Sequence, residues 1–138
     1  MISTFPLMAI PLIVYNVLVF GVGVEGIPGW RAEVFSIQMV SGVIWSMTMS
    51  DLMIVIGLFF LFLEILKATR IGRLSIIDHL LSTVVLILYI VLFLLVPSAA
   101  SSTFFILTLM ALVDVMAGFS VSIRSATRDV SLGDGSGL

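Results

Sequence analysis

The stretch SDLMIVIGLFFLFLEILKATRIGR, residues 50–73, decides the fold. It begins with residues that favour a helix start, continues through an apolar run and ends with three basic residues. A helix rises about 1.5 Å per residue, so the segment from Asp51 to Arg70 covers roughly 30 Å, the thickness of one bilayer core. The stretch therefore predicts a transmembrane helix over about 51–70.

The composition indicates that the whole chain is solvated by lipid. Of its 138 residues, 61% are hydrophobic and 10% are charged, whereas soluble domains carry about 25% charged residues. The mean hydropathy is +1.33. A net charge of −2 gives no reason to expect a nucleic-acid partner. Because the chain has no cysteine and one histidine, disulfides, thiol redox chemistry and a histidine pair for haem are excluded.

Three further apolar runs predict transmembrane helices, with Pro11 expected to kink or delay the first of them. The predicted spans are about 5–24, 51–70, 76–96 and 103–123. We therefore expect an all-α membrane protein with one domain over 1–128, a four-transmembrane-helix antiparallel bundle. Residues 129–138 are rich in Gly, Ser and Asp, a composition typical of a flexible tail.

The segment 33–50, between the first two helices, predicts a small β-hairpin. Its apolar and polar residues alternate as in strands, and Ser41-Gly42 supplies a turn. The alternative is a longer second helix, but on a helical wheel the polar residues scatter all round. A lone hairpin is marginally stable in water, so we expect another surface to cover its apolar face. The docking candidates on that face are Phe35, Ile37, Met39, Trp45 and Met47.

Basic residues predict the orientation in the membrane, because cytoplasmic loops carry an excess of Lys and Arg. In a four-helix topology only Arg31 lies on the side of the hairpin. The other basic residues share the side of both termini: Lys67, Arg70, Arg73, Arg124 and Arg128. We therefore expect cytoplasmic N- and C-termini, an exoplasmic hairpin and a bacterial-type inner membrane.

A polar layer of Asn16, Tyr89 and Asp114 is predicted near mid-bilayer. Asp114 precedes Arg124 by ten residues, or about 15 Å of helix, and the other two residues fall at similar depth. An ionisable residue there costs about 2.5–3.5 kcal/mol to insert. Three interpretations of Asp114 remain open: it fixes helix register with Asn16 and Tyr89, it faces a partner subunit, or it binds a proton or ion.

Small and polar residues recur at heptad spacing on each predicted helix. Such residues let membrane helices approach and hydrogen-bond, so they predict one inward-facing seam per helix. The seam residues are Ala9, Asn16 and Gly23, then Ser50, Gly57 and Glu64, then Ser82 and Tyr89, and finally Ala111, Asp114 and Gly118.

A second polar group is predicted on the cytoplasmic side, formed by Glu64, His79 and Arg124. The alternative for Glu64 is an i,i+3 ion pair with Lys67, one helical turn away. One histidine among scattered carboxylates is a weak indication of a metal site, so we expect no bound metal.

The sequence contains no recognisable nucleophile–base pair, phosphate-binding loop or metal cage, so it predicts a protein that is not an enzyme and uses no cofactor. The leading hypothesis is a small integral inner-membrane protein acting as a non-catalytic accessory or scaffolding subunit of a membrane complex. The alternative is a proton- or cation-coupled small transporter that works as a homo-oligomer with Asp114 as its coupling site. The expected partners are the lipid bilayer and either another membrane protein or further copies of the chain.

Overall fold

The computed structural model describes residues 4–69 and 73–133. Within them the protein is mostly helical, and two strands form one antiparallel sheet. In chain order the α-helices are α1 (Ala9–Asn16), α2 (Gly26–Arg31), α3 (Met49–Ala68), α4 (Arg73–Leu95) and α5 (Ser102–Gly133), and the strands are β1 (Glu33–Gln38) and β2 (Ile44–Thr48).

Three of the described helices, α3, α4 and α5, are long and apolar enough to cross a membrane. They confirm three of the four predicted spans. The last of them continues to Gly133, into the segment predicted to be a flexible tail. Arg70 and the rest of the predicted link up to residue 72 lie outside the described residues, as does the tail from 134 onwards.

The long helices pack with α5 against both α3 and α4. At one end the Ser50 and Thr103 hydroxyls lie 2.6 Å apart and join α3 to α5. Further along, a Cβ on Gly57 would lie 2.6 Å from Leu107 Cδ2 and 2.8 Å from Met110 Sδ. The absence of a side chain at Gly57 therefore permits this close approach, as the predicted seam requires.

The first helix is shorter than the predicted span of 5–24. α1 begins at Ala9 and continues as a π-helix over Val17–Val22, so this apolar stretch rises about 20 Å, less than a bilayer core of roughly 30 Å. Pro11 falls in the first turn, where backbone N–H groups have no helical partner, so α1 loses no hydrogen bond there. The structure thus has three helices of spanning length and one shorter apolar helix among its described residues.

Tyr15 anchors α1 to the turn between α4 and α5. Its hydroxyl donates to the Ser98 carbonyl at 2.9 Å and lies 2.7 Å from the Ser101 hydroxyl. Its ring stacks on Trp30, with centroids 4.6 Å apart, and meets Phe104 edge-on at 4.8 Å. The short helix α2 therefore folds back onto α1 and buries Trp30.

The segment predicted as a β-hairpin forms one, which excludes a longer second helix. Phe35 pairs with Met47 and Ile37 with Trp45 across the two antiparallel strands. Successive side chains on a strand point to opposite faces, so these four share one face. Gly42 closes the turn at φ +85°, a left-handed conformation that glycine adopts without steric cost.

β2 continues into α3 without an intervening loop. Thr48 is the N-cap of α3: its Oγ1 accepts from the Asp51 N–H at 3.2 Å, and the Asp51 carboxylate accepts from the Thr48 N–H at 3.0 Å. The cap is thus Thr48 and not Ser50 or Asp51, because this reciprocal capping box needs the hydroxyl at the cap and the acid three residues later. The box fixes the hairpin to the end of a membrane helix.

Candidate functional site

A cluster of charged and polar side chains lies inside the bundle, level with the C-terminal third of α3. Each side chain is 9% exposed or less. Buried charges are costly unless they are paired, so the contacts among these groups determine what the cluster can do. The polar cluster comprises Glu64 and Lys67 of α3, Asp78, His79 and Ser82 of α4, and Asp114 of α5.

Lys67 binds two carboxylates of the polar cluster. Its Nζ lies 3.0 Å from Glu64 Oε1 and 2.8 Å from Asp78 Oδ1. The same ammonium donates to the Phe5 carbonyl at 2.6 Å. The i,i+3 pair with Glu64, considered as an alternative from the sequence, is present. The pair with Asp78 had no local sequence signal, because it joins two different helices.

Glu64 ties the N-terminal segment to α3. Its Oε2 accepts a hydrogen bond from the Leu7 N–H at 2.8 Å. Leu7 lies just before α1, where backbone N–H groups lack partners within the helix. Glu64 therefore supplies an acceptor that the start of α1 needs, and it fixes that start deep within the bundle.

Ser82 and Asp114 are two further members of the polar cluster. The Ser82 hydroxyl donates to Glu64 Oε1 at 3.4 Å. Asp114 is 3% exposed, and its Oδ2 is buried without a hydrogen-bond partner among the described residues. Asp78 Oδ1 also has no hydrogen bond there but lies 2.8 Å from Lys67 Nζ, whereas Asp114 Oδ2 has no such cation beside it.

His79 of α4 packs against Gly118 of α5. A Cβ on Gly118 would overlap the imidazole ring, lying 2.5 Å from its Cε1. The same ring stacks on Phe119 with centroids 6.4 Å apart. The seam position predicted at Gly118 thus makes room for the histidine.

The three residues of the predicted polar layer form hydrogen bonds to other groups. Asn16 donates to the carbonyl of Leu12 in its own helix at 2.8 Å. The buried Tyr89 hydroxyl donates to the Met8 carbonyl at 3.0 Å, and Asp114 belongs to the polar cluster.

Asn16 lines an apolar groove between α1 and α4, together with Leu88 and Val91. No hydrogen bond among the described residues joins it to Tyr89 or Asp114.

The predicted cytoplasmic-side group is divided in the same way. Glu64 and His79 both belong to the polar cluster, whereas the Arg124 side chain is exposed on α5. Sequence reasoning missed Lys67, Asp78 and Ser82 as members of a shared site. For Ser82 the heptad seam was a usable signal, since it placed this residue inward alongside Tyr89.

The hairpin carries an apolar face outside the bundle. Every residue of β1 is exposed, and Phe35 and Trp45, at 42% and 41% exposure, form an edge-to-face pair with ring centroids 5.8 Å apart. We call this surface the hairpin face, and its residues are the five docking candidates named from the sequence: Phe35, Ile37, Met39, Trp45 and Met47.

The described residues contain no group of three or more His, Asp or Glu side chains placed to hold a metal ion. What the polar cluster offers chemically is three carboxyl groups, an amine, an imidazole and a hydroxyl, a set suited to holding and exchanging protons. Comparison of the chain with protein-family models, curated proteins and solved structures finds no match.

Proposed function

We propose that the protein is a non-catalytic accessory subunit of a membrane complex and that it docks a membrane-protein partner through the hairpin face. The supporting observation is that this face is apolar, aromatic and exposed. A contiguous exposed apolar patch on a folded protein marks an interaction site. A hairpin with one apolar face uncovered is also only marginally stable in water, so a partner would stabilise it.

The way the hairpin is attached supports the same function. β2 continues into α3 through the Thr48–Asp51 capping box, so the hairpin is attached to a membrane helix without an intervening loop. A strand of five residues extends about 17 Å, which carries the face clear of the helix end. Because the face has no charged residue, the partner surface that fits it is apolar.

We further propose a four-helix antiparallel bundle in a bacterial-type inner membrane, with both termini in the cytoplasm. Three helices of spanning length support it, together with an N-terminal segment held to Lys67 and Glu64 at one end of α3 and to Ser98 at the opposite end. The bias of basic residues supports the orientation. In a chain without native cysteine, Ser41→Cys should react with an impermeant thiol reagent from outside the cell. Labelling from the cytoplasmic side alone would overturn the orientation.

The docking proposal is tested by changing neighbouring residues on opposite faces of β2. Met47 lies on the hairpin face, and Ser46 points the other way, opposite Ser36. Native mass spectrometry of tagged protein, extracted gently with its lipids, should show a stoichiometric second polypeptide. We expect Met47→Asp and Trp45→Ala to lose it, because the first buries a charge in an apolar contact and the second removes its largest ring. Ser46→Asp should keep it.

Two results would count against docking through this face. If the partner remains bound in both Met47→Asp and Trp45→Ala, the hairpin face is not the contact. If Ser46→Asp loses the partner equally, the loss reflects added charge on the hairpin and not a specific surface.

A second candidate function is transport of a proton or cation by a homo-oligomer, with Asp114 as the coupling site. The buried, unpartnered Oδ2 of Asp114 favours it. In liposomes, the nearly isosteric Asp114→Asn should stay folded and lose flux, while Glu33→Gln, on the exposed hairpin, should keep it. Normal flux in Asp114→Asn, or no flux from the wild type in any gradient, would exclude this function.

A further inference from the structure

The polar cluster contains more carboxyl groups than cations. Glu64 and Asp78 share Lys67, while Asp114 has no cation in direct contact among the described residues. An ionised Asp114 would add a negative charge that no ion pair among the described residues compensates. In a water-poor interior an uncompensated charge is far more costly than a neutral group.

The Asp114 carboxyl group shows where compensation is needed. Asp114 is 3% exposed, and its Oδ2 has no hydrogen-bond partner among the described residues. A buried carboxylate oxygen without a partner carries the full cost of desolvation, which a neutral carboxylic acid avoids.

We propose that the polar cluster is a proton-binding site, in which Asp114 holds one proton on its buried Oδ2. Protonation converts the Asp114 carboxylate to a carboxylic acid and removes its negative charge. The two other carboxylates of the cluster, Glu64 and Asp78, share the Lys67 ammonium.

A proton fits this site better than a metal cation does. Hard cations are held by six or more oxygen ligands, several of them from protein. The described residues contain no set of three or more carboxylate or imidazole groups placed to hold a metal, whereas Oδ2 of Asp114 is buried and has no hydrogen-bond partner there. A proton needs a single oxygen.

Infrared spectroscopy of the full-length protein in lipid nanodiscs tests the proposal directly. A protonated carboxylic acid has a carbonyl stretch that is separate from carboxylate bands. We expect this band in the wild type at neutral pH, and we expect it to shift when aspartate carboxyl carbons carry ¹³C. Asp114→Asn should lose it. Because labelling changes no side chain, it assigns the band to an aspartate even if the variant folds poorly, and Asp114→Asn then identifies which aspartate.

Three results would overturn the proposal. The wild type could lack the acid band, the band could shift with labelled glutamate and not with labelled aspartate, or added Na⁺ could abolish it by replacing the proton. The proposal shares Asp114 with the transport candidate but requires no flux. It is also independent of the hairpin face, so failure of partner docking would leave it standing.

Discussion

The hairpin and the polar cluster are opposites in chemistry and location. The hairpin places Phe35 and Trp45 outside the bundle, both more than 40% exposed. The polar cluster places Glu64 and Asp114 inside it, at 2% and 3% exposure. A soluble domain would bury the first pair and expose the second.

The difference between the two regions shows how each is stabilised. The hairpin is held by local contacts, namely cross-strand pairs within a short segment and a capping box at its base. The polar cluster is held by contacts between distant parts of the chain, such as Leu7 with Glu64 and Lys67 with Asp78. Substitutions in the hairpin should therefore destabilise the hairpin alone, whereas substitutions in the polar cluster should destabilise the whole bundle.

The largest expected effect follows from removing the cation of the cluster. Lys67→Met leaves Glu64 and Asp78 buried without their shared partner and frees the Phe5 carbonyl. Breaking a buried ion pair in this way costs about 3–5 kcal/mol. SDS-induced unfolding in mixed micelles should show it through the fluorescence of Trp30, which is stacked on Tyr15 in the bundle.

The control for this change is Arg124→Met, which removes an exposed cation from α5. Exposed substitutions usually change stability by no more than about 0.5 kcal/mol. If Lys67→Met destabilised the bundle no more than Arg124→Met does, the polar cluster would contribute little to holding the helices together.

The same contrast explains how much of the fold could be predicted. The hairpin was predictable because its alternating apolar and polar residues and its Ser-Gly turn lie within one short segment. Long apolar runs likewise predicted α3, α4 and α5. The heptad seam also placed Gly57, Glu64 and Ser82 correctly on inward faces.

What the sequence could not supply was the set of contacts between distant segments. Asn16 and Tyr89, predicted in one layer with Asp114, hydrogen-bond instead to the Leu12 and Met8 carbonyls. The pairing of Lys67 with Asp78 depends on the approach of α3 and α4 at one end, which no local pattern encodes. The site is therefore less predictable than the elements that build it.

An intermediate effect is expected at the junction of the hairpin with α3. Thr48→Ala removes the N-cap hydroxyl, which costs about 1 kcal/mol and up to roughly 2 kcal/mol. Hydrogen exchange should rise in the first turn of α3 and at the base of the hairpin. Thr108→Ala is the control, since that hydroxyl bonds only to the Phe104 carbonyl of its own helix. Equal exchange in both variants would show that the capping box does not fix the hairpin.

The smallest expected effect is confined to the hairpin face. Phe35→Ala removes the edge-to-face contact with Trp45, worth about 0.5–1.5 kcal/mol. Hydrogen exchange of β1 and β2 should rise roughly 2- to 10-fold, while α3, α4 and α5 keep their protection. Ile44→Ala, which removes an exposed side chain from the opposite face, should have a smaller effect on β1.

The outcome for the long helices decides whether the two regions are independent. If Phe35→Ala speeds exchange in α5 as well, the hairpin would contribute to the stability of the bundle and could not be a separate docking element. If the helices keep their protection, the bundle needs nothing from the hairpin face. The exposed aromatic pair, Phe35 and Trp45, would then not be needed for the stability of this chain. A surface that serves to bind a partner must meet this condition.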